Sequence, residues 1–338
     1  MERQQPTLKP LIIINIALWL AACGGGGSGD DTNNDPSLKS GYFLDSAVQG
    51  LEYLTFKKSG GPPPNPVTYN STRPAGLTNR NGRFKYKDGE FIKFNIGYID
   101  ITSFIPVKQI ISPQDENSTS FPNRTRNIAA FLQSLDNDAT LSNGIQITKS
   151  VRDRANTYTS FPGFNTSFDF PVNIQPIVAE LTGLTDAGER DLLDISNASN
   201  HLNNTLNFAN PGSSPFIYGF YSGTYTIDVR NCMDSSDNGI YNFSIELAIQ
   251  NQVDVNFSGT ATGTTTDFGA PLNETITFSG NISSSGEVSG NTTHTFLQTQ
   301  GMGTFSGHLN GDTLTVTNPG VDTVGDTCTY TREIELSR

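Results

Sequence analysis

YNFSIELAI, residues 241–249, alternates large apolar residues with polar or small ones. Tyr241, Phe243, Ile245, Leu247 and Ile249 all occupy odd positions. A period of two places such a set on one face of a β-strand and the intervening side chains on the other face. We therefore predict a half-buried strand here, and the fold of the C-terminal region follows from repetition of this pattern.

Similar apolar segments recur through residues 217–338, separated by turn signals. A turn at Asn251-Gln252 is expected to lead into a strand that contains Phe257. Asn310-Gly311 is a strong hairpin signal, because both central residues of a type I′ turn need positive φ. The region is therefore predicted to be an up-and-down antiparallel meander that closes into a barrel or packs as a sandwich. A barrel of about eight strands is either filled by side chains or holds one small ligand.

A short motif is repeated within these strands. In each copy a phenylalanine is followed by serine and glycine, in Phe257-Ser258-Gly259, Phe278-Ser279-Gly280 and Phe305-Ser306-Gly307. We expect each copy to end or bend a strand. Glycines at such places permit the curvature that closure of a sheet requires.

The amino end has the three parts of an export signal. Arg3 and Lys9 give it positive charge, and an apolar stretch, LIIINIALWL, fills residues 11–20. This stretch is far shorter than the ~20 residues that a membrane-spanning helix needs. Residues 1–22 are therefore predicted to be a signal peptide.

The signal ends in Leu20-Ala21-Ala22-Cys23, which resembles the lipobox of bacterial lipoproteins. The resemblance implies that Cys23 is acylated, palmitate being one such chain, and becomes the first residue of the mature protein. Two or more acyl chains anchor a protein stably in the lipid bilayer. Gly24 follows instead of Asp, which implies the outer membrane, facing either the periplasm or the outside. The alternative is an ordinary signal peptide with an incidental cysteine.

Residues 23–40 are rich in Gly, Ser, Asn and Asp, and we interpret them as a flexible tether. With Cys23 assigned to lipid, Cys232 and Cys328 remain as a pair. In an oxidising compartment these two are expected to form a disulfide. The bridge would close a loop of about 100 residues and contribute roughly 4–5 kcal/mol in the chain-entropy description. The alternative, a reactive thiol pair, lacks CxxC spacing.

Residues 41–111 have the periodicity of short strands, with an expected hairpin at Asn81-Gly82. Three stretches resemble a module of Gram-negative surface lipoproteins that is similar to carboxypeptidase-regulatory-like or transthyretin-like domains. They are Asp45-Ser46-Ala47-Val48 with Gly50 and Tyr53, Thr78-Asn79 to Tyr86, and Gly89-Glu90 to Gly97. The resemblance implies a small antiparallel β-sandwich that supports or binds, by analogy of fold alone.

Residues 112–210 are predicted to be a helical segment packed with this module. Ile128, Phe131, Leu132 and Leu135 lie on one helical face, and Asn123 or Thr125 is expected to cap the start of the helix. A second helix is expected to begin near Asp186 and to carry an apolar face. That face consists of Leu192, Leu193, Ile195, Ala198, Leu202 and Leu206. We interpret both apolar faces as core.

Asp136, Asp138 and Thr140 alternate as the first oxygen ligands of a calcium loop do. An EF-hand would need Gly and Glu where Leu141 and Ile147 stand. The sequence therefore leaves two interpretations, a weak Ca²⁺ site or a polar loop that follows the helix. No other cofactor is indicated.

The composition excludes some classes of function. The chain has 338 residues and a formal net charge of −12, without a basic stripe, so nucleic acid is not an expected partner. No GxSxG, P-loop or dinucleotide motif occurs. The three histidines are His201, His294 and His308. His294 and His308 could approach each other in the strand region, but their spacing does not indicate a zinc site.

Together these features predict an α+β, mainly β protein of the cell envelope. We favour a non-enzymatic binding or adhesion lipoprotein, whose ligand is a glycan, a protein or a small apolar molecule in the barrel. A purely structural envelope component is one alternative. An envelope hydrolase with a noncontiguous carboxylate site is the other, and a carboxyl of raised pKa in a cleft would favour it.

Overall fold

Strands dominate the structure. The computed structural model describes residues 38–57, 75–116, 123–164, 170–212, 214–231, 238–267, 272–296, 299–322 and 328–338. Of the residues that the structure describes, 48% lie in strands and 22% in helices. The expected mainly β class is therefore confirmed, and Ser37–Arg338 form one compact unit.

Nine short strands lie between residues 38 and 116 of the part of the chain that the structure describes. They are β1 (Lys39–Phe43), β2 (Val48–Gln49), β3 (Glu52–Lys57), β4 (Ala75–Leu77), β5 (Arg83–Tyr86), β6 (Glu90–Ile96), β7 (Ile99–Asp100), β8 (Ile105–Pro106) and β9 (Ile110–Ile111). An antiparallel sheet has the order β4-β3-β6-β7, with β8 also on β6. A second sheet has the order β5-β1-β9.

This part of the chain is not purely antiparallel, which differs from the sequence prediction. β9 runs parallel to β1, with Tyr42 opposite Ile110. Parallel neighbours need a long connection, and the whole run from β2 to β8 supplies it. Asn81-Gly82 forms a turn but not the expected hairpin, because β4 pairs with β3 while β5 pairs with β1. Gly82 alone of the two has positive φ, at +70°.

Four α-helices follow within the described ranges, interspersed with two short strands. In chain order they are α1 (Arg124–Ser134), β10 (Ile145–Gln146), α2 (Lys149–Ala155), α3 (Phe170–Thr182), α4 (Ile195–Phe208) and β11 (Ala209–Asn210). β10 pairs in parallel with β2 and so ties the helices to the first strands. Single 3₁₀ turns lie at Pro113–Glu116 and Leu141–Asn143.

The predicted apolar face of α1 is buried, but the cap predictions fail. Asn123 is the N-cap residue without a side-chain cap bond, and the Thr125 hydroxyl donates to the Pro113 carbonyl instead. The second predicted helix is α4. Its N-cap is Asp194, whose carboxylate accepts from the Asn197 amide, so the helix does not begin near Asp186. Asp186 accepts from the Asn137 side chain, a partner that lies far away in sequence.

One apolar core joins the first strands to the helices. Phe43, Phe84 and Phe94 from the strands contact one another, and the same core contains Phe131 of α1 and Phe170 of α3. α1 also packs on α4 through Ala129, Ala130, Ala198 and Leu202. The small alanines allow the two helices to approach closely.

Eight long strands form the C-terminal region. They are β12 (Gly219–Arg230), β13 (Gly239–Val253), β14 (Asn256–Thr265), β15 (Leu272–Ile282), β16 (Glu287–Phe296), β17 (Thr299–Asn310), β18 (Thr313–Asp322) and β19 (Cys328–Ser337). Each pairs antiparallel with the next, and β19 pairs back onto β12, from Ser222 opposite Ser337 to Arg230 opposite Thr329. The eight strands therefore close into an up-and-down barrel, which confirms the barrel prediction.

Two turns differ from the sequence prediction. β13 continues past Asn251-Gln252, because a β-bulge after Ile249 turns the Gln252 side chain inward. There its Oε1 accepts from the Ile217 amide at 2.8 Å, so the turn comes at Asp254-Val255, with Asp254 at φ +52°. The predicted hairpin near Asn310 exists, but its two central residues are Gly311 and Asp312.

The repeated Phe-Ser-Gly motif lies within strands and does not end them as expected. The rings of Phe257, Phe278 and Phe305 meet inside the barrel, with centroids 6.1–6.5 Å apart. The Phe278 ring lies against Gly259, where a Cβ atom would be 2.7 Å from it. The motif is thus a packing unit in which the ring from one strand covers a glycine of its neighbour.

The short strands before the helices contact one end of the barrel. Asp312, in the β17–β18 hairpin, forms ion pairs with Arg83 and Arg338. The Arg338 guanidinium lies 5.0 Å from the centre of the Tyr42 ring and donates to the Phe216 carbonyl at 2.8 Å. We call the end of the barrel that contains the β17–β18 turn the hairpin end. No helix in the described ranges is long and apolar enough to cross a membrane.

Candidate functional site

The interior of the barrel contains an apolar cavity of about 50 Å³. Fifteen residues line it, and all but Thr292 and Arg332 are apolar. Each lining residue occupies the inward position of an alternating strand, which is why strands with polar outer faces enclose an apolar space. The three phenylalanines of the repeated motif and Ala261 belong to this wall.

The size and wall of the cavity determine what it can hold. A water molecule needs roughly 10–15 Å³ of such volume and two to four polar partners. The cavity has room for more than one water but offers mostly carbon. Cavities of this kind stay dry and accept apolar guests. The arrangement therefore suits a small apolar ligand or the apolar end of a larger one.

A buried polar network lies above the cavity. Arg332 Nη2 donates to Glu274 Oε1 at 2.7 Å, and the Tyr225 hydroxyl donates to Glu274 Oε2 at 2.5 Å. Arg332 Nη1 lies 3.4 Å from His294 Nδ1. All four side chains are at least nine-tenths buried. Burial, followed by the charge of Glu274, raises the pKa of the Tyr225 phenol, so this group remains a hydrogen-bond donor.

The network lies away from the hairpin end. Glu274 is opposite Phe296, the pair furthest from the β15–β16 turn. Arg332 is opposite Asn318, five positions from the Thr313–Ser337 pair beside the β17–β18 turn. Arg332 also lines the cavity. The lumen therefore has an apolar floor at the hairpin end and a polar group of residues towards the other end.

Sequence reasoning did not identify Tyr225, Glu274 or Arg332, although a signal was present. Glu274 has the same parity as Ile276 and Phe278, and Arg332 the same parity as Ile334 and Leu336. A charged residue at the inward position of an alternating strand must be paired, because an unpaired buried charge is costly. Two such residues of opposite charge are therefore expected to form an ion pair with each other.

The histidines do not come together. His294 faces the lumen, whereas His308 is on the outer surface, where its Nδ1 lies 3.1 Å from Glu287 Oε1. His294 is opposite Gly301 and His308 is opposite Glu287, seven positions apart along β16. His294 and His308 are therefore separate, although the sequence allowed them to approach each other.

Asp136, Asp138 and Thr140 lie together in the loop after α1, and their own chain uses the oxygen atoms. Asp136 accepts from the amides of Thr140 and Gln146, and Asp138 accepts from the Thr140 amide and the Asn143 side chain. Burial raises the pKa of Asp136, while the bond from Asn143 lowers the pKa of Asp138. The described residues contain no group of three or more His, Cys, Asp or Glu side chains arranged for a metal. Ca²⁺ binding at this loop stays a prediction.

A serine and a histidine meet near the first strands. Ser46, at φ +55°, has its Oγ 2.7 Å from His201 Nε2 and 2.8 Å from the Leu141 carbonyl. The hydroxyl has one proton and a carbonyl only accepts, so both contacts are satisfied when Ser46 donates to Leu141 and His201 donates to Ser46. In that arrangement His201 does not withdraw the serine proton. The pair therefore joins α4 to the β1–β2 connection and does not form an activated nucleophile.

Asp45, next to Ser46, is a fully buried carboxyl. Its Oδ1 accepts from Gln133 Nε2 at 2.7 Å, and its Oδ2 has no hydrogen-bond partner in the described part of the chain. Burial raises its pKa to about 8, against a smaller opposing effect of the Gln133 bond. Asp45 is therefore protonated at neutral pH. It lies within the packed core and not in a cleft.

The structure does not test the predicted roles of the three cysteines. Cys23 and Cys232 lie outside the described residues, while the backbone of Cys328 begins β19. Lipidation and the disulfide therefore stay predictions.

Comparison with known proteins returned no relatives. No protein-family model, curated protein or solved structure matches the chain. The function is therefore inferred from the geometry and the sequence alone.

Proposed function

We propose that the protein is a lipid-anchored lipoprotein of the cell envelope whose C-terminal barrel binds a small apolar ligand without transforming it. The observation that carries this proposal is the closed barrel with an apolar cavity. Pockets for small molecules are concave, mostly apolar and equipped with a few polar groups that orient the ligand. Thr292 and Arg332 are the polar groups of this wall.

The chemistry of the cavity wall supports binding more than catalysis. Catalysis needs an acid, base or nucleophile within hydrogen-bond reach of a reacting atom. Among the described lining residues only Thr292 and Arg332 have polar side chains, and Arg332 is paired with Glu274. An arginine side chain stays charged in proteins and does not exchange its proton.

The anchor rests on the sequence. The short apolar stretch, Leu20-Ala21-Ala22-Cys23 and the glycine-rich residues after it support acylation at Cys23 and export to the outer membrane. The bilayer is then a partner through the acyl chains, with the folded part held off its surface by the tether. Cys23→Ser is expected to abolish acylation and release the protein from membranes. Continued retention of this variant in the membrane fraction would contradict the anchor.

The lumen is tested with benzene and the full chain carrying Cys23→Ser, because this variant is expected to carry no acyl chain. A ligand that binds only the folded state stabilises it by RT ln(1 + [L]/Kd), about 2.7 kcal/mol at a hundredfold excess over Kd. Benzene is therefore expected to raise the melting temperature. The absence of a shift at saturating benzene would contradict binding of an apolar ligand of this size in the lumen and would favour the structural envelope component.

Ala261 provides a matched pair of variants. Ala261 faces the cavity and Thr262, the next residue, faces solvent. Ala261→Leu fills the cavity and is expected to abolish the effect of benzene while the protein remains folded. Thr262→Leu is expected to leave the effect of benzene unchanged. Equal responses of the two variants would place the benzene elsewhere.

A further inference from the structure

A second concave feature lies on the outside of the barrel. It is an open depression of about 380 Å³ over β13, β14, β15 and β16. Four of its polar side chains form a row across the strands, since Asn251 is opposite Ser258, Ser258 opposite Ser279, and Ser279 opposite Asn291. Neighbouring strands are about 4.8 Å apart, so these groups follow one another at regular short intervals. Asn256 and Asn281 extend the set at one side.

Two glycines in the wall of the depression lie against a ring inside the barrel. Gly280 and Gly290 are opposite each other on β15 and β16 and occupy inward positions. A Cβ atom would lie 2.9 Å from the Phe305 ring at Gly280 and 2.7 Å from it at Gly290. The backbones of both strands therefore rest directly on the ring.

The polar groups of the depression are not used by the protein itself. The side chains of Asn251, Asn256, Ser258, Ser279, Asn281 and Asn291 make no hydrogen bond to any other residue of the described ranges. Asn251 Oδ1 is buried and has no partner there. The side chains of Ser279, Asn281 and Asn291 are exposed, so their amides and hydroxyls are available to a ligand.

We propose that this depression binds a neutral oligosaccharide. Its amides and hydroxyls present donors and acceptors side by side, as do the hydroxyl groups of a sugar. No lining residue is charged, so an ionic ligand has no counter-ion here, and the net charge of −12 disfavours polyanions further. An apolar ligand would leave the amides unpaired. A peptide strand has no free edge to join on this face, because each of these strands is paired on both sides.

The experiment uses the full chain with Cys23→Ser, labelled with ¹⁵N, and follows the side-chain amide resonances of the asparagines by NMR. Maltohexaose and chitohexaose are the neutral probes, and hexagalacturonate is the anionic probe of the same length. We expect at least one neutral probe to shift the resonances of Asn251 and Asn291 with a millimolar Kd. Hexagalacturonate is expected to shift neither.

Two variants locate the site. Asn291→Ala combined with Ser279→Ala is expected to weaken binding about tenfold, the loss expected for hydrogen bonds worth ~1.4 kcal/mol. Thr295→Ala changes an exposed outward residue of the same strand, β16, and is expected to leave the Kd unchanged. All changed side chains are exposed, so circular dichroism is expected to match the parent.

Three results would overturn the proposal. They are the absence of shifts with both neutral probes, equal affinity for the anionic probe, and equal loss of binding in Thr295→Ala. Because the depression is outside the barrel, none of these results depends on whether the lumen binds benzene.

Discussion

Buried ionisable residues determine the most testable properties at the scale of single residues. Glu274 and Arg332 are a buried ion pair in an apolar lumen. Such pairs are weak evidence of stabilisation, because desolvation offsets the attraction, yet loss of one partner leaves a charge without compensation. Asp45 avoids this cost in another way, since it keeps its proton at neutral pH.

Arg332→Met is expected to lower the free energy of unfolding by about 3–5 kcal/mol, because Glu274 then stays buried without its cation. Adding Glu274→Gln should recover most of this loss. Urea denaturation of the two single variants and the double variant measures the coupling. Arg80→Met breaks the exposed pair with Glu246 and serves as control, with an expected change within about 1 kcal/mol. A cost for Arg332→Met no larger than the control would contradict the burial of the pair.

Asp45→Asn is expected to change the pH dependence of stability. The pKa of Asp45 is raised from 3.8 to about 8 in the folded state. Below pH 4 both states hold the proton; between pH 4 and 8 only the folded state holds it, so stability falls as pH rises. The neutral asparagine lacks this slope.

The measurement is urea denaturation from pH 4 to pH 9. The stability of Asp45→Asn minus that of the parent should increase with pH by at most about 1.4 kcal/mol per pH unit and level off above pH 8. Thr262→Leu, which changes no titratable group, should show a nearly constant difference. A constant difference for Asp45→Asn as well would mean that Asp45 is ionised in the folded protein.

At the scale of elements, the barrel strands could be predicted because their period of two is set by burial on one face. Their exact ends could not, because Gln252 is drawn into β13 by the amide of Ile217, a contact far away in sequence. α2 escaped prediction because it has only seven residues, and α3 because it contains Pro176. The start of α4 was placed too early, since Asp186 and Asp194 are equally good caps in sequence. The buried polar network around Glu274 and Arg332 could not be predicted, because each strand contributes only one residue to it.

Gly280→Ala tests the packing of the repeated motif. A Cβ atom at Gly280 would lie 2.9 Å from the Phe305 ring and would also meet the Ser289 carbonyl. Overpacking of this kind costs about 1–3 kcal/mol. Gly183→Ala is the control, because its Cβ atom would lie 3.4 Å from its nearest neighbour and its φ is not positive. Thermal denaturation should show a clear loss for Gly280→Ala only, and equal melting temperatures would contradict the packing.

At the scale of the whole molecule, the barrel is joined to the first strands and helices at the hairpin end. Asn81 Nδ2 donates to the Phe220 carbonyl at 2.7 Å, and Arg338 reaches back to Tyr42. These contacts join residues more than a hundred positions apart, which no periodicity in the sequence could indicate. The apolar floor of the lumen therefore lies next to the helical part, and the polar network lies further from it.

The predicted disulfide belongs to this scale, because it would join the two strands that close the barrel. β12 ends at Arg230, opposite Thr329, and β19 begins at Cys328. Cys232 follows Arg230 by two residues in the sequence. Reduction is expected to lower the melting temperature of the Cys23→Ser chain, at a cost of about 2–5 kcal/mol. Two thiols that titrate in the unfolded protein before reduction would contradict the bridge.

The pairing of the first barrel strand with the last has a consequence for how the protein is made. A chain that is synthesised from its amino end can form every hairpin from β12 to β18 in turn. The edges of β12 and β18 remain unpaired until β19 is present, because β19 pairs with both. Unpaired edges template aggregation. A chain that stops before Cys328 therefore exposes both edges, whereas one that has completed residues 328–337 exposes neither. Residues 328–337 thus determine whether the barrel is left with exposed sheet edges.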